Sequence, residues 1–415
     1  MPLTVAIIGL GNRGCTYADI IKQDLLDKVE LTAVCDYRSA ALDLAKNKYG
    51  VTELFEDAAA FFEVKRADAL IIASMDADHY AQAMRALDLG YDILLEKPIA
   101  TTLEECLAVE RKARTLGKKV AVCHVLRYTA FYQGIKDIID NGIIGNIANI
   151  SQTENVGYWH QAHAFVRGNW RSSIETAPMI LSKCSHDLDI LNWLVGDDCL
   201  SVSSYGSLGF FKESNAPANS AKHCFECAVR AECPYNAIEF YKTNPDFFVV
   251  VRSKSPPVVD KSLDEEVEIL LSDKTNLYSR CVFRCDNDVV DRQAVNLRYG
   301  GDVVAQLTMT AFSAVFNRQI KIHGTHGQIE GDFNSKKYTV TVFGKQTKEY
   351  DLTEAGGDFS GHGGGDRLML IDFLLSLAGA QAGKGLTSIS QSVLSHRMAF
   401  AAEKSRLLKG KPIKL

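Results

Sequence analysis

Gly9, Gly11 and Gly14 follow directly on the apolar run Val5-Ala6-Ile7-Ile8, within the first fifteen residues of the chain. Few features narrow the choice of fold as sharply. A G-x-G-x-x-G turn leaving a buried strand and entering a helix needs its first glycine for the tight bend. The second lets backbone approach a pyrophosphate, and the third lets helix and strand pack closely. The helix that follows, expected over residues 17–26, aims its free N–H groups and positive dipole end at phosphate. A second apolar strand, residues 31–36, ends at Asp36. That acid lies roughly 20 residues past the glycines, where a carboxylate accepts hydrogen bonds from a ribose.

The first ~125 residues alternate strand and helix, the pattern of βαβ units. Strands are expected at 4–9, 31–36, 69–73, 92–96 and 119–125, with helices at 17–26, 39–49, 79–89 and 103–116. The strands are apolar throughout, as strands covered by helices on both faces must be. The pattern predicts a doubly wound parallel sheet, a Rossmann fold, over residues 1–126.

From residue 127 the pattern changes. After a helix at 130–140, segments 147–154, 291–299, 303–311, 318–323, 328–332 and 338–343 alternate apolar and polar residues. They read as strands of a large, mainly antiparallel open sheet in an α/β domain over 127–415. One helix is expected at 179–195 and a last helical region at 368–377. Residues 212–265 form a polar, Pro-containing insertion with no evident core of its own, and 356–365 a glycine-rich loop that could close over a site.

Composition excludes several classes. Of 415 residues, 47% are hydrophobic and 23% charged, with a net charge of −5. An acidic balance argues against a nucleic-acid partner. No apolar run approaches the roughly 20 residues of a membrane span, and no signal peptide is evident. The expectation is a cytoplasmic protein with no nucleic-acid or membrane partner, assembling as a homodimer or homotetramer. Most of the 11 cysteines sit singly in apolar runs, as buried thiols of a reducing compartment do.

Glu96-Lys97-Pro98 ends the strand expected at 92–96. Ligands of open α/β sheets bind at the carboxyl ends of strands, so Lys97 points into the cofactor crevice. Pro98 keeps the two residues before it extended. A partly desolvated lysine there can exchange a proton with a substrate hydroxyl. Asn12, Arg13, Ser74, His79 and Glu96 are grouped with Gly9, Gly11, Gly14, Asp36 and Lys97 as cofactor contacts. Asp36 favours the free 2′-hydroxyl of NAD; Arg38, two residues on, could tolerate the 2′-phosphate of NADP.

These residues together resemble the glucose-fructose oxidoreductase/inositol dehydrogenase family, Gfo/Idh/MocA, on Gly9-Leu10-Gly11-Asn12-Arg13-Gly14, Asp36 and Glu96-Lys97-Pro98. The resemblance implies a Rossmann domain followed by an α/β domain that forms substrate walls and an oligomer interface. It implies NAD or NADP as cofactor, sugars or cyclic polyols as substrates, and Lys97 as catalytic residue. The family's second motif, D-x-x-x-H, falls on Ser182 to His186. His186 matches the family histidine and Asp189, grouped with the substrate contacts, the acid three residues on, while Ser182 stands where the family carries Asp. Lys183, three residues before His186, shares its face of a continuous helix and could orient substrate hydroxyls. His186 can accept the proton of an alcohol as its carbon loses hydride.

Tyr158, Trp159, His160, His163, Arg167 and Trp170 offer aromatic faces and polar groups to a sugar ring. Asp291 could add an acid or simply hold a turn. Finally, Cys224, Cys227 and Cys233 stand as C-x-x-C-x5-C in the insertion. That spacing suits a structural Zn²⁺, with Cys281 as the preferred fourth ligand and Cys285 or His223 as alternatives; an iron–sulfur cluster is compatible in principle. The reading is an NAD-dependent oxidoreductase moving hydride between nicotinamide and a ring carbon of a carbohydrate. The alternative is a glycosidase that oxidises its sugar transiently on the same scaffold.

Overall fold

The computed structural model describes residues 2–415 apart from 26, 254, 256–257, 356–359, 380–382, 384 and 386. Strands β1 (Leu3–Ile8), β2 (Val29–Cys35), β3 (Glu53–Phe55), β4 (Ala69–Ile72), β5 (Asp92–Leu95) and β6 (Val120–Val122) form one sheet, ordered β3-β2-β1-β4-β5-β6. Every pairing in it is parallel. The apolar runs are explained by two-sided burial. In β1, Val5 and Ile7 pack into one core while Ala6 and Ile8 pack into another across the sheet. Strand order reverses between β1 and β4, which opens a crevice at their carboxyl ends. β3, only three residues long, is too short to leave a sequence pattern.

The second sheet has nine strands: β7 (Ile147–Asn155), β8 (Cys199–Ser207), β9 (Arg292–Tyr299), β10 (Val304–Thr310), β11 (Asn317–Gly324), β12 (Gly327–Asp332), β13 (Lys337–Val342), β14 (Lys348–Asp351) and β15 (Ile413–Lys414). Their order is β14-β13-β12-β11-β7-β10-β9-β8-β15, antiparallel except for β10 against β7. One face buries Val295, Leu297, Leu307, Ile320 and Ile322 with residues of the helices Ala130–Asp140, Ser185–Val195 and Ile389–Leu407. The alternation of these strands reflects that one-sided burial.

Three expectations change. The helix expected at 179–195 is two helices, Met179–Ser182 and Ser185–Val195, with Lys183 and Cys184 at the break. Lys183 and His186 therefore do not share one continuous helical face. The insertion does have a core: Tyr241, Phe248, Val251, Val267, Leu271 and Tyr278 pack together from the helices Ala237–Thr243, Pro245–Arg252 and Leu263–Ser272 and the short turn after them. The glycine-rich segment expected as a loop over 356–365 lies partly outside the described residues. Its remainder forms the short helix Ser360–Gly363 and the start of Gly365–Leu377.

The two sheets are joined at several points. The helix Ile389–Leu407 packs on both halves, and the chain just before it donates and accepts along β6, Val122 N–H to Thr387 O at 3.0 Å and Thr387 Oγ1 to Val122 O at 2.5 Å. From that helix, His396 Nε2 accepts the Ile99 N–H at 2.9 Å. Its Nδ1 therefore carries the ring proton and donates to Ser392 O at 2.8 Å. His396 thus holds the backbone two residues beyond Lys97. Among the described residues no helix is long and apolar enough to cross a membrane.

Candidate active site

The glycine turn has the stereochemistry its spacing predicts. Gly9 has φ +88°, and a Cβ there would lie 2.5 Å from the Ser74 nitrogen. Gly14, inside the helix Asn12–Asp24, faces back on the turn, and its Cβ would stand 2.1 Å from Gly9 O. Gly11 differs: nothing lies within 4 Å of its missing Cβ. The helix carries no side-chain cap at that end, so its first N–H groups open onto this space. The residues present fit a dinucleotide pyrophosphate.

Asp36, just past the end of β2, lies against the glycine turn. It is buried and accepts the Leu10 N–H at 2.8 Å, the Arg38 N–H at 3.0 Å and Arg38 Nε at 2.9 Å, with Arg38 Nη2 at 2.8 Å. Burial alone would raise its pKa; the bonds from Arg38 and Leu10 hold it below the usual carboxylate range. Arg38 thus neutralises the acid it flanks.

At the carboxyl end of β5 the two residues of the Glu96-Lys97 pair diverge. Glu96 turns inward, accepting Arg13 Nε at 2.5 Å and the Tyr17 hydroxyl at 2.6 Å. Arg13 also reaches Asp366 at 2.5 Å, and Asp366 bonds His362 Nδ1 at 3.0 Å. Arg13 and Glu96 therefore clamp the strand end to the helix Gly365–Leu377. His79 is likewise internal, its ring nitrogens 2.7 Å from Pro98 O and 3.3 Å from Ser74 O. Ser74 bonds Gln82 at 2.7 Å through its hydroxyl. Lys97 crosses to the second half of the molecule, where Nζ donates to Ser182 O at 2.8 Å. Burial lowers the Lys97 pKa against the pull of Asp76 and Glu96. Asp76 in turn is pushed up by burial and accepts the Trp170 indole N–H at 3.1 Å.

Facing Lys97 stands a buried charge cluster. Glu154, at the end of β7 and fully buried, lies 3.3 Å from Lys183 Nζ and 2.9 Å from Arg318 Nε. Arg318 is shared with Asp187 at 2.9 Å, which also accepts Gln152 Nε2 at 2.6 Å. Burial pushes Glu154 up despite both cations and pushes Lys183 down despite Glu154. Lys183 also sits over the Phe316 ring at 4.3 Å. His186 is buried, and among the described residues its Nδ1 has no hydrogen-bond partner. Burial, then the Lys97 charge, holds its pKa well below the ordinary imidazole value, so it is a neutral base at neutral pH. His160, beside Phe316 at 5.9 Å between ring centroids, is held neutral by burial and by Lys183. Next to Phe316 opens a cavity of about 200 Å³ walled also by Phe131, Phe333, Asn334 and Gly363.

Lys97, Lys183, His160 and His186 thus come together. Other expected substrate residues do not join them. His163 bonds the Tyr241 hydroxyl at 2.7 Å and stacks on Tyr278, Trp159 stacks on Phe240, and Tyr158 meets Tyr235. Arg167 is buried against Arg280 O and Tyr235 O. This segment anchors the insertion. Asp189 forms a buried bidentate pair with Arg127, both bonds 2.7 Å. Asp291 accepts the Gly209 and Phe210 N–H groups at 2.8 and 2.7 Å, holding the turn after β8. Among the described residues no group of three or more His, Cys, Asp or Glu side chains is placed to hold a metal ion, so the expected Zn²⁺ site is not formed. Glu154, Arg318, Asp76 and Phe316 escaped the sequence reading. The available signal was Gln152 and Glu154, polar residues in phase with buried Ile150 on the core side of β7.

Comparison with known proteins decides the family. Residues 3–124 match the model of the Gfo/Idh/MocA oxidoreductase family's NAD-binding Rossmann fold, and residues 136–415 match the model of its C-terminal alpha/beta domain. The chain belongs to the Gfo/Idh/MocA oxidoreductase family. YteT of Bacillus subtilis, named as an oxidoreductase, is 27% identical over 85% of this chain and 86% of its own length. An inositol 2-dehydrogenase/D-chiro-inositol 3-dehydrogenase of Lactiplantibacillus plantarum is 27% identical over 48% of this chain, and the match spans about half of that enzyme, 54%. In fold, the chain superposes on a levoglucosan dehydrogenase solved with NADH at a TM-score of 0.73 and 16% identity, covering 100% of this chain and 99% of the other.

The family's NAD-binding fold makes the third glycine testable. Gly14→Ala sets a methyl against Gly9 O and must displace the helix that follows the turn. NAD affinity, measured by calorimetry, is expected to fall by about tenfold or more, ~1.4 kcal/mol. An unchanged affinity would show that the turn does not meet the phosphates.

Proposed function

We propose that this protein oxidises or reduces a ring carbon of a sugar, sugar derivative or cyclic polyol with NAD. The observation that carries the reading is the convergence of Lys97, Lys183 and His186 across the crevice that the glycine turn opens. Bound NAD supplies the hydride acceptor or donor. Gly9, Gly11 and Gly14 hold its pyrophosphate, and Asp36 its adenosine ribose. Asp36 favours NAD over NADP because its carboxylate meets a 2′-hydroxyl and repels a 2′-phosphate, although Arg38 softens that repulsion. His186, kept neutral, takes the hydroxyl proton of the carbon that is oxidised. Lys97, anchored to Ser182 O, donates to the same oxygen as its negative charge grows. Lys183, pinned by Glu154, orients a neighbouring hydroxyl, and the aromatic cavity beside Phe316 receives the rest of the ring. Relatives named as inositol dehydrogenases support this substrate class.

The test is NADH absorbance across a panel of sugars, glycosides and inositols, run with simultaneous detection of cleaved aglycone. Stoichiometric NADH is the expected result. Glycoside cleavage without net NADH would instead establish transient oxidation and elimination, and no turnover of any kind would overturn the reading.

The pH profile is a separate prediction. His186 works deprotonated and is held well below the ordinary imidazole value, first by burial and then by Lys97. Activity is therefore expected to stay level from neutral into mildly acidic solution and to fall only when His186 protonates. Lys97 works protonated with a lowered pKa, so the alkaline limb comes earlier than for a free lysine. Plots of kcat/KM against pH check both limbs; an acid limb centred at the ordinary imidazole value would count against His186 as the buried base.

A further inference from the structure

A proton that His186 takes from a substrate hydroxyl has to leave again, and His186 is a poor place to keep it. The ring is buried, and burial together with the Lys97 charge disfavours its imidazolium. After burial, Lys97, His124, His362 and Arg318 act on it most strongly. The two cations are closed as acceptors: Arg318 is pinned to Glu154 and Asp187, and the Lys97 ammonium donates to Ser182 O. His124 stands 5.7 Å from His186 between ring centroids, but it is buried and leads inward, toward Asp189 and His396. A proton passed that way stays in the interior. His362 is the remaining neighbour, its ring centroid 6.1 Å from that of His186.

His362 has both of the connections a relay needs. Its side chain is 41% exposed, so the ring meets His186 on one side and water on another. Asp366, one helical turn on, lies 3.0 Å from its Nδ1. An ionised carboxylate only accepts, so Nδ1 carries the ring proton and Nε2 keeps a lone pair for another. Burial alone would raise the Asp366 pKa; His362 and Arg13 hold it well below the usual carboxylate range. Arg13 joins Asp366 to Glu96, itself held below that range by Arg13 and Tyr17 against burial. Two carboxylates thus share one guanidinium. The excess negative charge is the counter-charge for an imidazolium at His362.

The segment is also fixed in place. Gly363 and Gly364, at φ +67° and +79°, turn the chain between the helices Ser360–Gly363 and Gly365–Leu377 and bring His362 to Asp366. A Cβ at Gly365 would lie 2.3 Å from Val125 O, so this turn is pressed against the chain that follows β6. We propose that His362, with Asp366 as its positioning residue, relays the substrate proton between His186 and solvent. The inference rests on the dehydrogenase reading above. As the ring carbon loses hydride, its hydroxyl proton passes to His186, one proton for each hydride. His362 Nε2 takes that proton, directly or through one bridging hydroxyl, and releases it from the same nitrogen to water. Asp366 meets the positive charge in between. Reduction follows the same path in reverse.

The experiment compares the full chain with His362→Ala in dilute buffer near neutral pH, on the sugars and inositols that the unaltered protein turns over, with free imidazole as the probe. The variant is expected to lose roughly 10²-fold in kcat, with NAD affinity by calorimetry unchanged, because the Arg13–Asp366 pair stays in place. Imidazole at rising concentration is expected to restore kcat in the variant and to leave the unaltered protein unaffected. A merely structural histidine would not be replaced by a free base in solution. His362→Gln, which keeps the bulk without a titratable nitrogen, is expected to show the same loss. Undiminished kcat in either variant would overturn the relay, and so would a loss in His362→Ala that imidazole does not repair. An unaltered protein that turns over nothing would instead remove the dehydrogenase reading, and the relay with it.

Discussion

Lys97→Met is expected to lower kcat by roughly 10²- to 10⁴-fold, the usual contribution of a positioned proton donor or acceptor, while NAD binding stays near that of the unaltered protein. Met keeps the volume of the stem and removes only the ammonium. That ammonium has two roles: Nζ bonds Ser182 O at 2.8 Å, and its charge is the leading electrostatic influence on His186. The lost bond is a charged one, worth about 1.5–3 kcal/mol, too little to unfold a strand end already clamped by Arg13, Tyr17 and His396. Removing the charge also lets the His186 pKa rise toward the ordinary imidazole value, so the acid limb of the residual activity should move to higher pH. That shift separates a catalytic lysine from a structural one. Loss of NAD binding together with loss of fold would refute the assignment, as would a variant that retains kcat.

Legibility in the sequence followed burial. The Rossmann half was readable because strands covered on both faces are apolar throughout and because the turn at Gly9 and Gly14 admits no side chain. Lys97 was singled out by its place at the carboxyl end of a strand and His186 by its match to the family motif; the structure sets both across the crevice from one another. Lys183 was expected to share a face of one continuous helix with His186, and the helix in fact breaks there. The charge cluster behind it could not be read, because Glu154, Asp187 and Arg318 come from β7, the helix Ser185–Val195 and β11, and only the sheet order brings them together. Apart from His160, which joins the site, the Tyr158–Arg171 segment went elsewhere for a related reason. Aromatic and basic residues in a loop suit a sugar, but they suit equally the core of an inserted helical unit, and a single sequence does not distinguish the two.

Asp189 offers the sharpest test of that lesson. Its place in the family motif assigns it to substrate, whereas the structure buries it in a bidentate pair with Arg127, itself 2% exposed. Asp189→Ala would leave a guanidinium that cannot deprotonate without its counter-charge; neighbouring His124, its pKa lowered to about 4 chiefly by burial, is neutral and offers no negative charge in either protonation state. Breaking such a pair from one side costs about 3–5 kcal/mol, a large part of the stability of most domains. The expected result is a marked loss in urea or thermal unfolding, with a change in Trp193 fluorescence, since Arg127 lies 5.5 Å over that ring. Whatever fraction folds should keep a KM close to the unaltered value. If Asp189 instead held substrate, stability would be unchanged and KM would rise. The two outcomes are opposite in both measurements because a side chain already bonded through both oxygens to a buried cation has little left to offer a sugar hydroxyl.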